Sequence, residues 1–123
     1  MKKEIKCLRA PAAVGAYSQG IESSGFVFLS GQLPIDPENG TMPKEVEKQA
    51  EQSLKNVKNI LESADKTLND VIKTTIYLEN IADFAAVNAV YQEFFEEPYP
   101  ARSCFAVSAL PKGAKVEVEV IAK

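Results

Sequence analysis

The chain has 123 residues, 46 % of them apolar and 25 % charged, with 14 Lys and Arg against 17 Asp and Glu for a net charge of −3. That size and balance fit one globular domain, 1–123, and leave no basic footprint for a nucleic-acid backbone. No stretch has the length and apolarity of a membrane span, and "MKKEIKCLRAPAA" lacks the apolar run of a secretory leader.

His is absent, which removes Ser-His-Asp and Cys-His catalysis and the zinc sets that need imidazole. Two cysteines, Cys7 and Cys104, are too few for a disulfide framework and fit a reducing, cytoplasmic setting. They make no convincing metal site, and no Gly-rich phosphate loop or nucleotide fingerprint is present, so no metal or cofactor is expected.

In chain order, "EIKC", "AYSQGIES" and "GFVFLSGQL" read as three short strands separated by turn residues. "ESSG" before "FVFLSG" predicts a hairpin turning near Ser23 to Gly25. "DPENGTMP" is a loop, and Pro43 suits the first turn of a helix. Val46, Ala50, Leu54, Val57, Leu61 and Ala64 then recur at three- and four-residue steps among Glu and Lys, which predicts a helix over about 44–64. "DVIKTTIYLEN" is β-branched and alternating, a strand. "IADFAAVNAVYQEFF" carries Phe84, Val87, Tyr91 and Phe94 or Phe95 at helical spacing and is a second helix, ended by Pro98. "ARSCFAVSAL" and "KVEVEVIA" are two strands around "PKGA". The order β-β-β-α-β-α-β-β predicts an α+β two-layer sandwich, one mixed sheet with two helices on one face.

Arg102 is the residue that needs explaining, because a guanidinium within a strand is uncommon. Either it points into water or a salt bridge, or it waits for an anion. Alternation puts Arg102, Cys104, Ala106 and Ser108 on one face of their strand and Ser103, Phe105, Val107 and Ala109 on the other. The Phe and Val face is expected to pack on the helices. A hairpin turning at 111–114 would pair Ser108 with Glu117 and set Glu117 on the face of Arg102, about six residues away, or roughly 20 Å at ~3.3 Å per residue. The two then cannot touch within one subunit, and a shared site would need two subunits. The open second face of the sheet suits such an oligomer contact. Nothing in "KVEVEV" itself separates Glu117 from Glu119. Cys104 alone reads as a small packing residue with no base to activate it, and Tyr17 as either an interface aromatic or a cleft wall.

"PAAVGAYSQG", "FVFLSGQLP", "QSLKNVKNIL", "VNAVYQEFF", "YPARSCF" and "LPKGAKVEVEVIA" together resemble the RidA/YjgF family of reactive intermediate deaminases over nearly the whole chain. The resemblance implies a chorismate-mutase-like fold, a homotrimer with a cleft at each subunit interface, and hydrolysis of 2-imino acids to 2-oxo acids and ammonia. It implies that Arg102 clamps the substrate carboxylate, which suits its two-pronged fork, and that Glu117 positions or activates the attacking water. It implies that Tyr17, Ser30 and Gly31 line the cleft and that the backbone carbonyl of Cys104 faces it. Asn88 is a family position given a structural role. Expected partners are a small 2-imino acid and, functionally, the pyridoxal-phosphate dehydratases of serine and threonine that release the parent enamines. A non-catalytic binder of 2-oxo acids is the alternative, against which the water-positioning acid argues. The acidic balance and lack of His argue against RNA chemistry. The connection "FFEEPYPARS" is compact beside the longer one of some members.

Overall fold

The computed structural model describes residues 1–123. Strands β1 (Lys3–Ile5), β2 (Gly20–Ser23) and β3 (Phe26–Leu29) precede helix α1 (Val46–Ser63), and β4 (Val71–Leu78), α2 (Phe84–Phe94), β5 (Ala101–Ala106) and β6 (Val116–Ala122) follow. The strands form one mixed sheet in the order β1-β2-β3-β6-β4-β5. Only β4 and β5 run parallel.

The β2–β3 hairpin turns at Ser24 and Gly25, with φ of 53° and 83°. Positive φ at both central residues belongs to the tight turn whose twist matches a hairpin, which is why small residues stand there. Helix α1 buries Ala50, Leu54, Val57, Ile60 and Leu61. These pack with Val27 and Leu29 of β3, Ile76 and Leu78 of β4, Val116, Val118 and Val120 of β6, and Val87, Val90 and Tyr91 of α2. Both helices therefore cover one face of the sheet, and β6, which alternates buried Val with half-buried Glu, runs through its middle.

Two buried amides on α1 tie the loops down, since buried polar groups need partners. Asn56 donates to the carbonyls of Leu33 and Ile35 (3.1 and 3.0 Å). Gln49 donates to the Pro43 carbonyl (2.7 Å) and accepts from the Lys115 N–H (2.8 Å). The first fixes the chain leaving β3, the second the chain entering β6.

Three sequence expectations are corrected. First, β5 and β6 are not a hairpin, because β4 lies between them and fills that edge of β6. The segment 79–100 with α2 is a crossover, long enough to return β5 parallel to β4. Second, the faces of β5 are reversed. Arg102 and Cys104 sit opposite Thr74 and Ile76, both buried, so they face the helices, while Phe105 sits opposite Tyr77 on the open face. Third, Glu117 does not share a face with Arg102. It is opposite Tyr77, hence on the open face.

That open face is rich in apolar groups. Ile21, Phe28, Ile121, Tyr77 and Phe105 line it, and Phe28 and Phe105 are 44 % and 46 % exposed. No helix of the structure is long and apolar enough to cross a membrane.

Candidate active site

The residues singled out by sequence fall into two groups on opposite faces of the sheet. Tyr17, Ser30, Gly31 and Glu117 line one cleft of ≈ 770 Å³, with the 11–14 segment on one side and Pro111 and Lys112 on the other. Arg102 lines a second cavity of ≈ 400 Å³ with Asn88, Tyr91, Gln92, Tyr99 and Pro100. Cys104 lines neither and packs its side chain against the core.

The cleft is built around the end of β3. After Leu29 the chain leaves the ladder for two residues, then rejoins β6 where Gln32 and Val118 exchange hydrogen bonds (2.7 and 3.2 Å). Ser30 and Gly31 are the detour, and it brings Gly31 against the side chain of Glu117. A Cβ on Gly31 would collide with the Glu117 carboxylate, and would stand 2.8 Å from its Cδ. Glycine here lets the Glu117 carboxylate approach closely and serves no unusual φ. Ser30 is anchored, its hydroxyl donating to the Ser18 carbonyl (2.6 Å) and its N–H to the Gln19 carbonyl (2.9 Å). Gln19 is buried and organises the rest of this wall. Its amide donates to the carbonyls of Cys7, Ala10 and Pro11 and accepts from the Cys7 N–H. One side chain thus holds the 7–18 segment as a rim, with Tyr17 on it, 54 % exposed.

Glu117 is half-buried and its carboxylate rises above the usual range, first because burial disfavours the charge and second because Glu119 is negative beside it. Tyr77 donates its hydroxyl to Glu119, and this bond, with burial and the two carboxylates, pushes the phenol up to about 12.

In the second cavity the guanidinium of Arg102 is held from three sides. Asn88 Oδ1 accepts from Nη1 (2.8 Å), and the guanidinium carbon lies 5.4 Å from the Phe84 ring centre and 4.8 Å from that of Tyr91. The Tyr91 hydroxyl is locked in turn by Thr74 (2.9 Å), and its ring stacks on Phe95. No carboxylate pairs with Arg102. A guanidinium that is positioned but not neutralised is suited to an anion, and its free fork matches a carboxylate. Burial raises the thiol of Cys104, only partly offset by Arg102, which keeps it protonated and a poor nucleophile.

The two groups cannot meet in one subunit. In the register, Glu117 is level with Tyr77 and Phe105, and Arg102 is three residues further along β5, on the other side of the sheet. The separation is therefore about half the six residues expected along the strand, but the sheet itself now stands between them. Of two further site neighbours, one carried a sequence signal and one did not. Asn88 belongs to the i, i+4, i+7 series Phe84, Asn88, Tyr91, one face of α2, which the structure aims at Arg102. Gln19 had no periodicity to mark it. No three His, Cys, Asp or Glu side chains gather as a metal site would need.

Comparison with known proteins places the chain. The family described as Endoribonuclease L-PSP matches residues 7–123. The 2-iminobutanoate/2-iminopropanoate deaminase of Salmonella typhimurium is 47 % identical, over 99 % of this chain and 98 % of that protein. The crystal structure of Escherichia coli TdcF with bound serine superposes with a TM-score of 0.94 at 46 % identity, covering 98 % of this chain and 97 % of the other. RidA from an Antarctic Psychrobacter gives 0.95 at 45 % identity, with 98 % of each chain covered. Sequence profile, full-length relatives and backbone agree, and the chain belongs to the endoribonuclease L-PSP family, that of the RidA and YjgF proteins.

Proposed function

We propose that this protein is a deaminase that hydrolyses reactive 2-imino acids, tautomers of enamines such as 2-aminoacrylate, to 2-oxo acids and ammonia, in clefts completed between the subunits of a homotrimer. The observation that carries the reading is the split site: an unneutralised, positioned Arg102 on one face of the sheet and a half-buried Glu117 in a cleft on the other. A carboxylate-bearing substrate needs both. The exposed apolar face around Phe28 and Phe105 supports a stable partner, since patches of that kind mark interaction surfaces. A cyclic assembly would bring Arg102 of one subunit to the cleft of the next.

The chemistry asks little of the protein. Arg102 holds the carboxylate and so fixes the imine carbon. Tyr17, Ser30 and Gly31 wall the cleft, and the Gly31 N–H, free of the backbone ladder, is available to the substrate carboxylate. The carbonyl of Cys104 faces the substrate from the Arg102 strand. Glu117 takes a proton from water as the water oxygen bonds to the carbon of the protonated imine, and the C=N electron pair goes to nitrogen, giving a neutral carbinolamine. Glu117 then passes that proton to the amine, and the C–N bond breaks as the C=O bond forms, the hydroxyl proton leaving with the ammonia as ammonium. The reaction needs no cofactor. Serine and threonine dehydratases of the pyridoxal-phosphate type are the expected source of substrate, in the cytoplasm.

The test couples the purified protein to a threonine dehydratase and traps the imine with semicarbazide. The protein is expected to lower the semicarbazone yield, and Arg102→Ala to abolish the effect without dissociating the trimer. A folded wild type that leaves the yield unchanged, yet binds 2-oxo acids, would overturn catalysis in favour of a binding role.

A further inference from the structure

Glu117 does not stand alone on the open face. Glu119 is two residues along β6 on the same side, and Tyr77 of β4 lies directly opposite Glu117. Yet the Tyr77 hydroxyl donates to Glu119 and not to Glu117. The Tyr77 ring is kept in that posture by edge-to-face packing on Phe105, with ring centres 5.4 Å apart. Glu119 therefore has a donor, whereas Glu117 has none and packs its carboxylate against Gly31. Neither is ion-paired. The other charged or titratable groups around Glu117 are Tyr17, Asp36 and Lys112, which line its cleft from three different loops. Lys73, on the same face of β4, donates instead to Ser103 (2.9 Å).

Two neighbouring carboxylates with unequal partners divide their roles. The one that accepts a hydrogen bond carries the negative charge, and the one without a donor is where a proton comes and goes. We propose that Glu119, fixed by Tyr77, is a positioning residue for the reaction, and that this pair behind the cleft assigns the exchangeable proton to Glu117. The inference rests on the reading of Glu117 as the base of the proposed hydrolysis. The direction of its titration agrees, since burial and the Glu119 charge both favour the protonated form. Tyr77, with its proton held to about 12, stays a donor throughout the working range.

The experiment follows the pH dependence of kcat/KM for imine hydrolysis in wild type, Glu119→Gln and Tyr77→Phe. In parallel, the carboxyl carbon of Glu117, assigned through Glu117→Gln, is titrated by 13C NMR. Removing the neighbouring charge lets Glu117 ionise more readily, so Glu119→Gln is expected to shift the acid limb to lower pH. At the wild-type midpoint its rate relative to its own plateau then rises by up to about twofold, and the 13C midpoint moves in the same direction. Tyr77→Phe is expected to spread the limb over a wider range, because the two carboxylates then share the proton. A Glu119→Gln protein with a lower plateau but an unmoved limb and an unmoved 13C midpoint would reduce Glu119 to a structural support and refute the inference. If Glu119→Gln does not assemble, an unaltered Tyr77→Phe titration refutes it instead. Should the wild type show no imine hydrolysis, the proposed function fails, and the 13C titration still decides whether the pair assigns the proton.

Discussion

If the site is shared between subunits, two dead variants will restore each other. The perturbation is to co-express Arg102→Ala and Glu117→Ala chains under different tags and to purify trimers carrying both. Within one chain the register sets Arg102 and Glu117 three residues apart along the strands and two strands apart across the sheet. That is ~10 Å in each direction at ~3.3 Å per residue and ~4.8 Å per strand, and on opposite faces besides. A substrate of a few atoms cannot span it, so each active cleft needs Glu117 from one protomer and Arg102 from the next. In a cyclic trimer of two kinds, whichever kind is in the majority, only one of the three junctions has the intact partners in the right order. About one third of wild-type activity is expected, against none for either parent. The assay is the semicarbazide trap, with native mass spectrometry to verify the mixed composition. Verified mixed trimers with no activity, beside an active wild type, would refute the shared site.

Gly31→Ala puts a Cβ where the Glu117 carboxylate lies and displaces that flexible side chain, so activity is expected to fall about tenfold or more while urea melts of the trimer move by less than about 1 kcal/mol. Glu117→Gln should lose activity but raise the Tm at pH 7. Because the folded protein holds the Glu117 proton more tightly than the unfolded chain, stability falls as pH rises through that window, and an uncharged amide removes the deficit. The Tm difference should shrink as pH is lowered below the Glu117 titration, and a difference that grows instead contradicts the direction of the shift. Cys104→Ala should keep activity within a few-fold, since the thiol is held protonated and its side chain lines neither cavity; rapid inactivation of the wild type by iodoacetamide at Cys104 would count against this.

The helices were readable because their signal is local. The α1 stripe repeats at the helical period, and its Val46, Ala50, Leu54, Val57 and Leu61 are buried, joined by Ile60 and the polar Gln49, Ser53 and Asn56 beside it. The hairpin at Ser24 and Gly25 was readable for the same reason. Strand neighbours were not. "ARSCFAVSAL-PKGA-KVEVEVIA" has the outward form of a hairpin, and nothing within it says that β4 takes the place beside β6. The faces of β5 went wrong with it. An edge strand is weakly buried on both sides, so Phe105 looked like core while it packs on Tyr77 of the open face, and Arg102 looked like a residue of the open face while it lies, still exposed, against Phe84 and Tyr91 of α2. The motifs grouped Tyr17, Ser30, Gly31 and Glu117 with Arg102 and Cys104; the first four line one cleft of the structure and the last two do not. Asn88 was marked only as a structural position, and its hydrogen bond to Arg102, like that of Tyr77 to Glu119, becomes visible only when the elements are placed together.

The cradle around Arg102 bears on how fast and how selectively an anion is taken up. An arginine side chain carries about 2 kcal/mol of rotamer entropy. Here Asn88 and the rings of Phe84 and Tyr91 immobilise much of the chain before any ligand arrives. The ordering is thus a part of folding, not of binding, and each encounter with a carboxylate begins from a preorganised receptor. A lysine at the same place would reach the anion as a flexible tether and would give up stacking, fork and readiness together.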